Sequence, residues 1–209
     1  MTWRGRLMAL ALLAGGSMAV ACPALAQSQE NAMDPGAFWK IVEDTRANSH
    51  NDDGFLRRIS ARLSKLTPEE LLAYERRHSL LAAEAYTWKL WGAAYLMTGG
   101  CADDCFTNFR SWLMSLGRET FENALKDPDT LADAFGHGGQ RSIRVRVRSF
   151  EEFESMAPEL YEVKTNREMP DSVFRVGALQ LPADERWDFD NKAEMKKRYH
   201  RLFARYGGQ

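Results

Sequence analysis

The chain has 209 residues, 44 % of them hydrophobic and 27 % charged, with a formal net charge of −1. That length points to one domain with short appendages, and eleven Phe with six Trp exclude a disordered chain. The near-neutral balance leaves no electrostatic footprint for nucleic acid or anionic lipid, so neither is an expected partner.

Arg4 and Arg6 open the chain, Leu7 to Ala21 is uncharged and mostly apolar, and Ala24-Leu25-Ala26 puts small residues ahead of a cut before Gln27. A basic start, a short apolar run and a small-x-small site together read as a secretory signal peptide over residues 1–26. The protein is therefore expected outside the cytoplasm, periplasmic or secreted. The apolar run is about 15 residues, short of the roughly 20 that a helix needs to span a bilayer, and no other segment reads as a membrane span. In a second reading, Ala19-Val20-Ala21-Cys22 loosely resembles a lipoprotein processing site, which would make Cys22 a lipid anchor.

Residues 27–33 form a polar tail, and a single helical domain is expected over 34–206. Asp34-Pro35 opens a first helix, since Asp caps and Pro suits the first helical position; Phe38, Ile41, Val42 and Thr45 follow at helical spacing. After the polar break 48–53, Phe55, Leu56, Ile59, Leu63 and Leu66 mark a second helix. Thr67-Pro68-Glu69-Glu70 reads as a capping box and opens a third. Tyr86 to Met97 is apolar nearly all round, the mark of a helix buried on every side, and Gly99-Gly100 ends it. Asp103 or Asp104 is expected to cap the next helix, whose apolar face is Cys105, Phe106, Phe109, Trp112, Leu113 and Leu116; Gly117 stops it.

Two short helices, 118–126 and 128–135, come next, then the flexible loop Gly136-His137-Gly138-Gly139. From Arg141 to Arg148, Ile143, Val145 and Val147 alternate with Arg144, Arg146 and Arg148, a period of two that allows one edge strand. Ser149 and Glu152 suggest another capping box, with a helix to about Lys164. Residues 165–189 look irregular, and a last helix is expected from Asn191 to Tyr206. The fold class is mainly α: one compact multi-helix domain around a buried Trp-rich central helix, with at most one short strand or hairpin.

Several unusual strings stand in one order: Phe38-Trp39, Trp88-x-x-Trp91-Gly92-Ala93-Ala94-Tyr95-Leu96, Gly99-Gly100-Cys101-x-Asp103-Asp104-x-Phe106, Phe109-Arg110-x-Trp112-Leu113, Gly117-Arg118, Asp127-Pro128-Asp129 and Arg201-Leu202-x-Ala204-Arg205-Tyr206. In these the chain resembles the bacterial family known as domain of unknown function 4240, over roughly 33–206. The resemblance implies a domain extent and carries no activity.

Cys101 and Cys105 are the only cysteines after the leader. Inside one regular helix their Cβ atoms would be too far apart to bond; with Asp103 as cap, Cys101 lies outside the helix and can swing into range. A disulfide and a free pair are both open. No His stands at ligand spacing from them, so no metal is expected, and no cofactor motif is present. Asp103, Thr107 and Arg110 share one stripe of their helix. They form a candidate charged site beside Trp91 and Tyr95, with Asp104 and Glu75 as further candidates and Glu75 or His78 as an acid or base near the stripe. The plainer reading makes Asp103 and Asp104 caps, Arg110 an ion-pair partner and Glu75-Arg76-Arg77-His78 a solvated face. Two functions stay open: a non-enzymatic exported interaction module with a protein partner, and an uncharacterised enzyme with an acidic and Arg site at the Trp-rich helix.

Overall fold

The computed structural model describes residues 31–134, 140–174, 182 and 184–208. The leader, its alternative processing site at Cys22 and the Gly136-to-Gly139 loop lie outside them. Among the described residues every regular element is a helix or a helical turn. These are α1 (Pro35–Ala47), α2 (Asp52–Leu63), α3 (Pro68–Glu84), α4 (Trp88–Thr98), α5 (Asp103–Met114) and α6 (Arg118–Lys126), a 3-10 turn Pro128–Ala132, α7 (Gln140–Arg148), α8 (Glu151–Thr165), a second 3-10 turn Asp171–Val173, α9 (Lys192–Arg198) and α10 (His200–Tyr206). The domain is thus mainly α, and no described helix is long and apolar enough to cross a membrane.

Local chemistry accounts for several of the helix starts. The Asp34 carboxylate accepts from Ala37 N at 3.0 Å. Thr67 and Glu70 close a reciprocal capping box, Thr67 N to Glu70 Oε2 at 2.8 Å and Glu70 N to Thr67 Oγ1 at 3.2 Å. At α4 the cap is shared across the fold: Thr87 Oγ1 accepts from Leu90 N at 3.1 Å, and Asp184 takes the N–H groups of Trp88 and Lys89. Gly99 ends α4 in the left-handed region at φ 68°, where a residue without Cβ meets no steric cost.

Four expectations are corrected. Asp103 and Asp104 do not cap α5: its N-cap is Ala102, without a side-chain cap bond, and both acids sit in the first turn, where they still favour the positive end of the helix dipole. Ser149 does not cap α8, whose N-cap is Phe150; its hydroxyl instead donates to Arg146 O at 2.7 Å. The alternating stretch is helix α7 rather than an edge strand. Ile143 and Val147, four residues apart, are 1 % and 2 % exposed, whereas Val145 between them is 65 % exposed. A period of two contains a spacing of four, so this pattern served either structure, and the packing of α7 against α4 and α5 selected the helical one. The expected last helix is also two, broken at Tyr199 (φ −132°, ψ 66°).

Helices α4 and α5 form the centre. Leu90, Ala93, Ala94, Met97, Phe109, Trp112, Leu113 and Met114 are fully buried, while Trp88 and Tyr95 of α4 are only half-buried. Packing around α4 is tight. A Cβ on Gly92 would come within 2.5 Å of Tyr199 Oη and 2.6 Å of Trp187, so only glycine lets the C-terminal segment close over α4. Asp129, buried on the first 3-10 turn, accepts from Arg201 N and Leu202 N at 2.9 and 2.8 Å, which caps α10 from a distant part of the chain.

One ion cluster joins the N-terminal helices to α7. Asp52 accepts from Arg46 Nη1 at 2.9 Å and from Arg146 Nε at 2.6 Å, and Arg46 also bonds Ser115. Burial opposes ionisation of Asp52, but the two guanidinium partners outweigh it and hold its carboxyl below the usual range. Because its folded pKa is depressed, the stabilisation is present above the ordinary value of 3.8 and is lost as pH falls through the folded value. Asp52→Asn should lower stability at neutral pH by about 3 kcal/mol and flatten the acid limb of a melting-temperature profile; an unchanged acid limb would count against the cluster. Gly92→Ala should cost about 1–3 kcal/mol by overpacking, read as a lower denaturation midpoint.

Candidate functional site

The C-terminal part of α3, the N-terminal half of α5, Trp91 of α4, Glu154 of α8 and Phe174 enclose a cleft of about 390 Å³. That is within the size range of small-molecule sites, roughly 300–1,000 Å³. Glu75, His78, Ser79, Tyr86, Asp103, Thr107, Arg110 and Ser111 line it with Trp91 and Glu154. The structure therefore brings Asp103, Arg110, Glu75 and Trp91 together. Asp104 lies on the other side of the α5 stripe, in a neighbouring cleft with Arg144, Arg148 and Glu151. Tyr95 faces the opposite end of α4, where its hydroxyl donates to Asp190 at 2.6 Å.

The charged run on α3 is not the solvated face its composition suggested. Glu75 and His78 are 4 % and 3 % exposed, because Leu71, Glu75, His78 and Ala82 share the stripe of α3 that meets α8. His78 Nδ1 stands 3.5 Å from Glu75 Oε1, and Ser79 Oγ donates to the same carboxylate oxygen at 3.3 Å. Phe153 of α8 meets the imidazole edge-on. The second ring nitrogen, Nε2, is buried with no hydrogen-bond partner among the described residues. With Nδ1 directed at a carboxylate, the proton of the neutral ring belongs on Nδ1 and Nε2 carries the lone pair. That leaves a buried, unsatisfied acceptor in a residue that lines a cleft.

Arg110 is held rigidly and, among the described residues, has no hydrogen-bonded acid. It donates to Ala82 O at 2.7 Å, to Thr107 Oγ1 at 3.1 Å and to Phe106 O at 3.4 Å. Its guanidinium lies 5.0 Å from the Tyr86 ring centre and 5.3 Å from that of Phe106. Burial lowers its pKa, and the charge of Glu154 offsets this only in part. The Glu154 carboxyl is pushed above the usual range by burial; His78 and Arg110 pull it back, while Glu75 and Glu151 add to the rise. Its proton is therefore held more tightly than that of an ordinary glutamate.

Trp91 is a wall, not a stacking platform. Trp88 covers one face of its indole at 5.1 Å and Phe106 the other at 4.7 Å, and its Nε1 donates to Cys101 O at 2.8 Å. Cys101 and Cys105 are joined by a disulfide across a separation of four residues, with Cα atoms 5.2 Å apart. Cys101 precedes α5, so the bond is not confined to one regular helix; it pins the acceptor of Trp91 to the first turn of the helix that carries Asp103. Among the described residues, no group of three or more His, Cys, Asp or Glu side chains could hold a metal ion.

The sequence offers His78, with Glu75, as an acid or base near the Asp103 stripe; nothing local marks Glu154, whose place depends on α8 docking against α3.

A family model described as "Protein of unknown function (DUF4240)" matches residues 33–163, more than half of the chain and inclusive of every charged residue lining the cleft. No curated protein and no solved structure matches.

A carboxyl whose pKa rises on folding binds its proton more tightly in the folded chain, so stability falls as pH climbs from the ordinary 4.5 through the folded value. Glu154→Gln should remove that loss. Its melting temperature should exceed the parent's at pH values above the raised folded pKa and converge with it below the ordinary 4.5; parallel profiles would show that Glu154 ionises as an ordinary surface acid.

Proposed function

Given that the chain belongs to the DUF4240 family of proteins of unknown function, we propose that its cleft is the active site of an enzyme that moves protons on a small polar molecule. The observation that carries this reading is the buried Glu75–His78 pair, with an unsatisfied Nε2, in the same cleft as Arg110 and Glu154. Burying a polar atom without a partner costs about 1–3 kcal/mol, a cost that a site bears where the atom is needed by a ligand.

The roles follow from position and charge. Glu75 orients His78 and would stabilise the imidazolium formed when Nε2 takes a proton. Glu154, biased toward its protonated form, supplies a proton to a leaving or developing anion. Arg110, fixed by three hydrogen bonds and two rings, offers positive charge without reorganisation, which is where electrostatic catalysis gains most. The disulfide and the Trp88–Trp91–Phe106 stack keep the α4 and α5 walls in place. Export by a leader over residues 1–26 remains part of the proposal, and an oxidising compartment suits the Cys101–Cys105 bond.

The interaction-module reading differs in its consequence: such a module keeps its ligand unchanged. Incubating the protein with a small-molecule cell extract and following it by untargeted mass spectrometry separates the two. Conversion of at least one species by the parent, reduced about 100-fold or more in His78→Asn and Glu75→Gln, is the expected result. Enrichment without conversion, or conversion that survives both substitutions, would sink the enzymatic reading.

A further inference from the structure

The lining of the cleft is not of one sign. Asp103, exposed at the mouth, and Glu154 are acidic, Arg110 is the fixed cation, and Glu75 is already engaged by His78 and Ser79. A simple anion would meet Arg110 but also two acids, and a simple cation would meet the acids but also Arg110. A molecule with both charges satisfies both sets.

The spacing narrows the choice. Arg110 Nη2 reaches back to Thr107 Oγ1 at 3.1 Å, so the guanidinium sits level with Thr107 rather than with its own Cα. Asp103 is four residues earlier on the same stripe, about 6 Å along the axis at roughly 1.5 Å per residue. Two residues of extended chain span at most about 7 Å, so the ammonium and carboxylate of a dipeptide match this separation, whereas those of one α-amino acid are too close together. His78 Nε2, buried and without a partner, is an acceptor that the internal peptide N–H of such a molecule would satisfy.

We infer that the cleft binds a zwitterion of about dipeptide length, its carboxylate on Arg110 and its ammonium on Asp103. This inference deepens the acid–base reading above and rests on it for the fate of the ligand; binding itself is separable. Titration calorimetry with L-alanyl-L-alanine, its C-terminal amide and its N-acetyl derivative tests it on the whole chain. Binding of the free dipeptide is expected, weakened about tenfold to a hundredfold in each blocked analogue, since each loses one charge-assisted contact.

Asp103→Asn, at an exposed position, should weaken the dipeptide by about tenfold and leave the N-acetyl derivative unaffected. Arg110→Gln should likewise weaken the dipeptide and leave the C-terminal amide unaffected, with a circular dichroism melt to establish that it folds. Equal binding of the three ligands, or no binding of the dipeptide at millimolar concentration, overturns the inference. Titrating His78→Asn keeps the two ideas apart. Dipeptide binding by the parent protein with no species converted by it in the extract assay removes the catalytic proposal alone, and loss of conversion in His78→Asn with binding retained supports both; conversion by the parent of molecules lacking paired charges, with no dipeptide binding, removes this one alone.

Discussion

Trp91 lies between Trp88 and Phe106 with ring planes 8° and 13° from parallel, and the column continues at both ends into cations, Arg186 over Trp88 and Arg110 beside Phe106. The remainder of the molecule is arranged around this column. It joins α4 to α5, and its inner end sets the guanidinium that faces the cleft. Stacked aromatic pairs add about 0.5–1.5 kcal/mol each beyond their burial. Their larger effect here is directional: a ring held on both faces has one orientation, and so does the cation at its edge.

Holding charge in such a place is costly, and the fold manages the cost in two ways. At Asp52, two arginines satisfy one carboxylate, and the result is a brace between α1, α2 and α7. In the cleft the compensation is incomplete. Among the described residues His78 keeps a buried nitrogen without a partner and Arg110 is bonded to neutral oxygens only, and burial holds the Glu154 carboxyl above its usual range. His78, Arg110 and Glu154 meet in one concave region, whereas the Asp52 cluster is satisfied within the chain. Unspent polar capacity of this kind is what separates a site from a brace.

The extent of the domain also bears on the site. The family match stops inside α8, yet α9 and α10 belong to the same packed body: Asp129 caps α10, Tyr199 donates to Lys89 O at 2.6 Å, and Gly92 leaves room for that ring. The C-terminal helices therefore seal the face of α4 that points away from the cleft and stiffen the aromatic column from behind.

Much of this was written locally in the chain. Caps at Asp34 and Thr67, the breaks near Asn48 and Gly99, and the apolar stripes of α1, α2 and α5 depend on neighbours within one or two turns, so spacing alone reveals them. The shared stripe of Asp103, Thr107 and Arg110 was legible for the same reason. Tertiary packing decided what spacing leaves degenerate. It made residues 140–148 a helix although the pattern also suited a strand, it turned Glu75 and His78 inward by docking α8 on α3, and it delivered Glu154 to them from elsewhere in the chain. It also separated Tyr95 and Asp104 from the residues they accompany in sequence. Helix periodicity records which residues share a face, but not what that face meets, because burial and the pairing of charges are properties of contacts between segments far apart along the chain.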